Sequence, residues 1–277
     1  MIQLNNNILY QTIKIRRNKS HKGDYGRVLL IGGNEKYGGA IILASEACLK
    51  CGAGLISVAT NKNNHLAIHA RNPEIMVIDY HNKNELLELI KSSNVIMIGS
   101  GLGLDKHALK ILKLTLNNIN NKQYLIIDGS AITLLTRENI KYPQGPNIIY
   151  TPHQKEWERL SNIKIDDQNN EINLKIANDL KANFVLKSDQ SQIVLYRDKN
   201  DYYLNNGTPA MATGGMGDVL AGMISGFITQ FKSNNAILAA TYLHSQIAND
   251  LSKNNYVVLP SEICKKIPYY MKEYETK

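Results

Sequence analysis

Short, nearly unbroken runs of β-branched and other apolar residues recur along this 277-residue chain, and helical patterns separate them. The runs are RVLLIG (Arg27 to Gly32), LISVAT (Leu55 to Thr60), EIMVID (Glu74 to Asp79), NVIMIG (Asn94 to Gly99), YLIIDG (Tyr124 to Gly129) and NIIYT (Asn147 to Thr151). Little polar alternation interrupts them, as suits central strands covered on both faces. ELLELIKS and the stretch from Lys106 to Leu116 supply the crossovers that a parallel sheet requires. Further on, NFVLKSD reads as a strand, and SQIVLYRD with DYYLNN as a hairpin-like pair. Helices are expected to begin at Gly217, near Asn235 and after Pro260. The expected fold class is a three-layer α/β/α sandwich, its central sheet mostly parallel with antiparallel strands at one edge. No Pro/Ser-rich linker or composition break divides the chain, so one domain over residues 1–277 is expected.

Charge and cysteine usage narrow the function. Thirty-two Lys and Arg against 24 Asp and Glu give a net charge of +8, which favours anionic ligands such as nucleotides or phosphorylated metabolites. The basic residues are scattered and carry no DNA or RNA recognition motif, so no nucleic-acid partner is expected. MIQLNNNILYQTIKIRR lacks the apolar core of a signal peptide, and no run is long enough for a membrane helix. A cytoplasmic protein without a membrane partner is therefore expected. Cys48 and Cys51 lie in the helical stretch AIILASEACLKCGAG with only Cys264 elsewhere, so buried helical thiols fit better than zinc and no metal-ligating residues are assigned.

Several glycine-rich segments follow strands. In HKGDYGRVLLIGGNEKYGGA, which ends at Ala40, the glycines fit neither GxGxxG nor a P-loop. The segment is either a generous turn or a substrate wall at the carboxyl end of a strand, where open α/β sheets bind ligands. GSGLG, Gly99 to Gly103, follows another strand at the same end. In YTPHQKEWERL, Thr151 is expected to cap a helix, with Pro152 at its first position and Gln154 reaching back, which puts His153 in the first turn. Trp157 and Leu160 should face the core. VLKSD places Lys187 at a strand end, as a solvated cation or as one set against a nucleotide.

MATGGMGDVLAG, Met211 to Gly222, carries the strongest signal. Val219, Leu220, Met223, Ile224, Phe227 and Ile228 recur at helical spacing, and Ala221, Gly222, Ser225 and Gly226 form a thin face for close packing. A helix starting near Gly217 or Asp218 leaves backbone N–H groups of the Gly214–Gly217 turn free to meet an anion, aided by the macrodipole. Asp218 beside that hole is placed either to take a proton from an attacking hydroxyl or simply to complement the helix end.

Taken together, HKGDYGRVLLIGG, YGGA, GAGLISVAT, GSGLG, TPH..E and MATGGMGDVLAG resemble the ADP- or ATP-dependent NAD(P)H-hydrate dehydratases of the ribokinase-like superfamily. The likeness runs from about Lys22 to His244. It implies repair of the S-epimers of NADHX and NADPHX by phosphorylation of the ring hydroxyl and loss of phosphate. It also implies Asp218 as the base, and Ala40, Gly103, His153 and Asp218 around the hydrate. Lys187, Ser188, Asp189, Gln190, Ser191 and Gly217 would hold the nucleotide, and Gly214, Gly215, Met216 and Gly217 would form the anion hole. Mg2+, ADP or ATP as co-substrate, a homotetramer and a separate NAD(P)H-hydrate epimerase complete the implication. The chain departs from the family pattern with TPHQKE for TPHPGE, LKS at Ser188 for LKG and GGMGD with Met216 for GGTGD, and none of these removes a catalytic group. A kinase of the same superfamily acting on a vitamin precursor or sugar, and a non-enzymatic nucleotide sensor, are the competing readings.

Overall fold

The computed structural model describes residues 1–188 and 190–276. Its strands are β1 (Ile2–Gln3), β2 (Arg27–Ile31), β3 (Leu55–Thr60), β4 (Met76–Asp79), β5 (Val95–Ile98), β6 (Tyr124–Ile127), β7 (Ile148–Tyr150), β8 (Asn183–Leu186), β9 (Gln192–Val194) and β10 (Asp201–Tyr203). Its helices are α1 (Asn7–Thr12), α2 (Gly38–Lys50), α3 (His65–Arg71), α4 (Lys83–Ser92), α5 (Lys106–Asn118), α6 (Gly129–Arg137), α7 (Gln154–Ser161), α8 (Asn170–Leu180), α9 (Met216–Phe231), α10 (Asn234–Ser252) and α11 (Pro260–Tyr274). Among the described residues the strands form one sheet in the order β1-β10-β9-β8-β7-β6-β5-β2-β3-β4. The expected α/β/α sandwich is present, the six strands expected between Arg27 and Thr151 form within a residue or two of their bounds, and β8, β9 and β10 end three or four residues earlier than NFVLKSD, SQIVLYRD and DYYLNN imply. The antiparallel pairings are β8 with β9 and β9 with β10. Beyond them β1 closes the edge parallel to β10, a strand too short to leave a periodic signal.

Alternate residues of the central strands feed opposite layers, because successive side chains of a strand point to opposite faces. Val28 and Leu30 join Val95, Met97 and the helices α2, α9, α10 and α11 in one core. Leu29 and Ile31 join Ile96, Ile98 and the helices α4 to α8 in the other. Both faces of β2 and β5 are thus covered, which is why their runs are uniformly apolar.

The chain leaves β2 for β3 and β4, then returns to place β5 on the other side of β2. That reversal opens a crevice at the carboxyl ends of β2 and β5. The two glycine loops meet there, with Gly33 N–H donating to Ser100 O at 2.9 Å and Asn34 N–H to Gly101 O at 2.7 Å. Helix α9 reaches the crevice because it packs backbone to backbone against α2, as its thin face implies. A Cβ on Gly222 would stand 2.1 Å from the Ala44 carbonyl oxygen, and one on Gly226 would stand 2.6 Å from Cys51 Cβ. Cys48 and Cys51 are free, buried thiols in this contact, and burial raises both above the ordinary thiol range. No helix among the described residues is long and apolar enough to cross a membrane. Gly222→Ala forces the two backbones apart and should cost about 2 kcal/mol, the scale of overpacking, as measured by chemical denaturation. Unchanged stability would mean that the contact is not needed.

Candidate active site

Four strand ends and one helix start converge on the crevice. Asp128 follows β6, is 3% exposed, and collects the polar groups of its neighbours. Its Oδ1 accepts from Lys187 Nζ at 2.8 Å, after β8, and from Thr151 Oγ1 at 2.6 Å, after β7. Its Oδ2 accepts from Ser100 Oγ at 3.3 Å, after β5. A buried carboxylate is tolerated only when paired and hydrogen-bonded in this way. Lys187 is held above its ordinary range: burial opposes its charge, but Asp128, Glu156 and Asp218 together outweigh that penalty.

Asp218 lies in the first turn of α9, whose N-cap is Gly215 at φ 100°, a left-handed conformation that favours glycine. Among the described residues no side chain caps this end, so the leading N–H groups are left free at the crevice. Burial pushes Asp218 up to about 6, reinforced by the Asp128 charge and opposed by the Ser100 hydroxyl and Lys187. The helix begins at Met216, a residue or two before the expected start.

The start of α9 separates two cavities. One, of about 350 Å³, is walled by Lys187, Ser188, Ser191, Met216, Gly217 and His244. The other, of about 910 Å³, is walled by Asn34, Ala40, Ser100, Gly103, Ser130 and Asp218. The sheet thus brings Ala40, Gly103 and Asp218 together, and separately groups Lys187, Ser188, Ser191 and Gly217. Gln190 faces an adjoining cavity of about 190 Å³ that also touches Lys187 and Ser188. Gly214 and Gly215 form the turn without lining either large cavity, and Asp189 lies outside the described residues. Met216, which departs from the family pattern, is buried and gives the smaller cavity an apolar wall.

His153 differs from expectation. It is the N-cap of α7, and its Nδ1 accepts from the N–H groups of Lys155 and Glu156 while Glu156 completes the capping box. Thr151 and Pro152 do not start the helix because they extend the strand: Pro152 O accepts from Lys187 N–H at 2.8 Å, and the Thr151 hydroxyl is committed to Asp128. The His153 ring sits 3.5 Å from one Glu156 carboxylate oxygen and close enough to Lys187 and Asp128 to feel both charges, and burial with Lys187 holds it below the ordinary histidine range. It is not among the residues that wall the cavity of Ala40 and Gly103. Burial lifts Glu156 to about 7.

The sequence reading assigned no role to Asp128, Ser100 or His244. Ser100 was legible as part of GSGLG, and Asp128 only as the end of YLIIDG. His244 is buried against Met216 and Gly217, burial brings it down to about 4, and its Nε2 has no hydrogen-bond partner among the described residues. Among the described residues, no three His, Cys, Asp or Glu side chains are arranged to hold a metal ion.

A family profile described as NAD(P)H-hydrate dehydratase matches residues 28–269. The chain belongs to the NAD(P)H-hydrate dehydratase family. Within it, the ADP-dependent (S)-NAD(P)H-hydrate dehydratase of Lactococcus lactis subsp. lactis is 47% identical over 99% of this chain and 100% of its own length. The crystal structure of a ribokinase-like superfamily protein from Enterococcus faecalis V583 superposes with a TM-score of 0.97 at 44% identity, covering 100% of this chain and 97% of that one. The ADP/ATP-dependent NAD(P)H-hydrate dehydratase of Bacillus subtilis, co-crystallised with ATP and Mg2+, superposes with a TM-score of 0.87 at 26% identity over 99% of both chains. The fold is that of the ribokinase-like superfamily.

Lys187 lowers the Asp218 pKa, so removing the cation must raise it. Carboxyl-carbon NMR titration should place Asp218 near 6 in the native chain and higher in Lys187→Met. An Asp218 midpoint at the ordinary carboxylate value in both proteins would contradict the buried site.

Proposed function

We propose that the chain carries out ADP-dependent dehydration of the S-epimers of NADHX and NADPHX, restoring NADH and NADPH. One observation carries the reading. Gly217 and Asp218, adjacent in the chain, face two different cavities across the start of α9, so a nucleotide in one meets a second substrate in the other at a free helix N-terminus. Cavities of roughly 300–1,000 Å³ accept ligands of this class. A single small alcohol would leave most of the larger one unused, which favours a dinucleotide over the vitamin precursor or sugar of a kinase. ADP is the donor named for the relative at 47% identity.

The nucleotide lies in the smaller cavity, its terminal phosphate toward the Gly214–Gly217 turn, where backbone N–H groups take up charge developing on the transferred group. Lys187, held protonated by Asp128, Glu156 and Asp218, stands beside Gly217 as a fixed cation for the same phosphate. Asp218 accepts the proton of the hydrate's ring hydroxyl, whose oxygen attacks the terminal phosphorus as the bond to AMP breaks. The ring nitrogen's electron pair then expels the new phosphate ester as inorganic phosphate. Loss of a proton from the adjacent ring carbon restores the double bond. Magnesium fits as an ion brought in on the phosphates, for Mg2+ takes oxygen donors and keeps few protein ligands. Glu156, an acidic group beside Lys187, would be its protein donor, since Asp128 is committed to Lys187, Thr151 and Ser100. When bound, it neutralises phosphate charge during transfer. The reading carries with it a single domain over residues 1–277, a cytoplasmic homotetramer and a separate NAD(P)H-hydrate epimerase that supplies the S-epimer.

The test is incubation with NADHX, ADP and Mg2+. The absorbance of reduced nicotinamide should return with one AMP and one phosphate formed per NADH. The value of kcat/KM should fall as the pH drops below about 6, because Asp218 serves as a base only when deprotonated. No recovery of NADH, with phosphorylation of an alcohol such as hydroxyethylthiazole instead, would overturn the proposal.

A further inference from the structure

The larger cavity extends past the residues that the chemistry uses. Its wall includes Tyr80 and His81, just after β4, and His107, in the first turn of α5. The His81 and His107 rings are stacked, with centroids 4.1 Å apart and planes 17° from parallel. Tyr80 lies against both, at 4.6 Å and 5.1 Å. His81 Nδ1 is 2.7 Å from Asp79 Oδ1, which fixes that ring. His107 Nε2 is buried and has no hydrogen-bond partner among the described residues. Burial, with the neighbouring His81, holds His107 below the ordinary histidine range, so its ring is neutral at neutral pH.

These features together describe a surface for a flat, uncharged heterocycle. Preformed aromatic stacks take up nucleobases through the π-face, and the unpaired imidazole nitrogen offers a hydrogen bond that a buried polar group otherwise lacks. The Glu35 and Asp105 carboxylates line the same wall beside Lys36, so it offers a phosphate no net positive charge. The hydrated dinucleotide has one such heterocycle besides its reacting ring. We infer that Tyr80, His81 and His107 form the subsite for the adenine ring of the dinucleotide substrate. The inference rests on the substrate proposed above.

Calorimetric binding of NADH and of reduced nicotinamide mononucleotide, with ADP saturating the other cavity, tests it without turnover. The native chain should bind NADH at least tenfold more tightly than the mononucleotide, on the order of one stacked base. His107→Ala and His81→Ala should reduce that ratio to below threefold, and His107→Phe, which keeps a flat ring but loses the ring nitrogen, should give a ratio between the native and alanine values. Equal affinities in the native chain, or an unchanged ratio in both alanine variants, would overturn the subsite. Failure of the catalytic reading shows separately, as absent turnover of hydrated substrate by the native chain.

Discussion

The ion pair between Lys187 and Asp128, 2.8 Å apart at the carboxyl ends of β8 and β6, ties together what the sheet holds at its centre. Asp128 is buried and would be costly alone, so it draws in Lys187, Thr151 and Ser100 from three other strand ends. That arrangement fixes the cation beside Gly217 and leaves Asp218, which has no ion-pair partner of its own among the described residues, close to a second buried carboxylate. The elevated pKa of Asp218 follows from this geometry: desolvation and the Asp128 charge outweigh Lys187 and Ser100. A carboxylate tuned toward neutrality beside an anion hole is suited to taking a proton during phosphoryl transfer.

Delivery of Asp218 to that point is a packing problem. The start of α9 reaches the crevice because Gly222 and Gly226 let the helix lie on the backbone of α2. The crevice itself exists because β5 returns to the far side of β2, where Gly33 and Asn34 hydrogen-bond to the loop after β5. Close packing and strand order together place Gly217 and Asp218 toward separate cavities. A two-substrate reaction needs that division.

Much of this was legible in the sequence because it is local. Apolar runs without alternation marked buried parallel strands, the spacing around Gly222 and Gly226 marked a thin helix face, and GGMGD marked an uncapped helix start. What was not legible depends on which strands become neighbours. Asp128 reads as the end of YLIIDG, and only the adjacency of β6, β7 and β8 turns it into a partner for Thr151 and Lys187. The same adjacency explains why Pro152, a good first helical residue by local rules, instead accepts a bond from Lys187 N–H, which moves the cap of α7 to His153. The stack of His81 on His107 likewise joins residues from two separate crossovers.

The central claim is that Asp218 acts as the base while the turn before it grips phosphate. The most direct measurement pairs hydrate turnover with nucleotide affinity in Asp218→Asn, which keeps the shape of the side chain but cannot accept the proton as a carboxylate does. Turnover should fall about a hundredfold or more, on the scale of general acid–base contributions, while the Kd for ADP stays within a few-fold of the native value. Normal nucleotide binding with unchanged turnover would contradict the account.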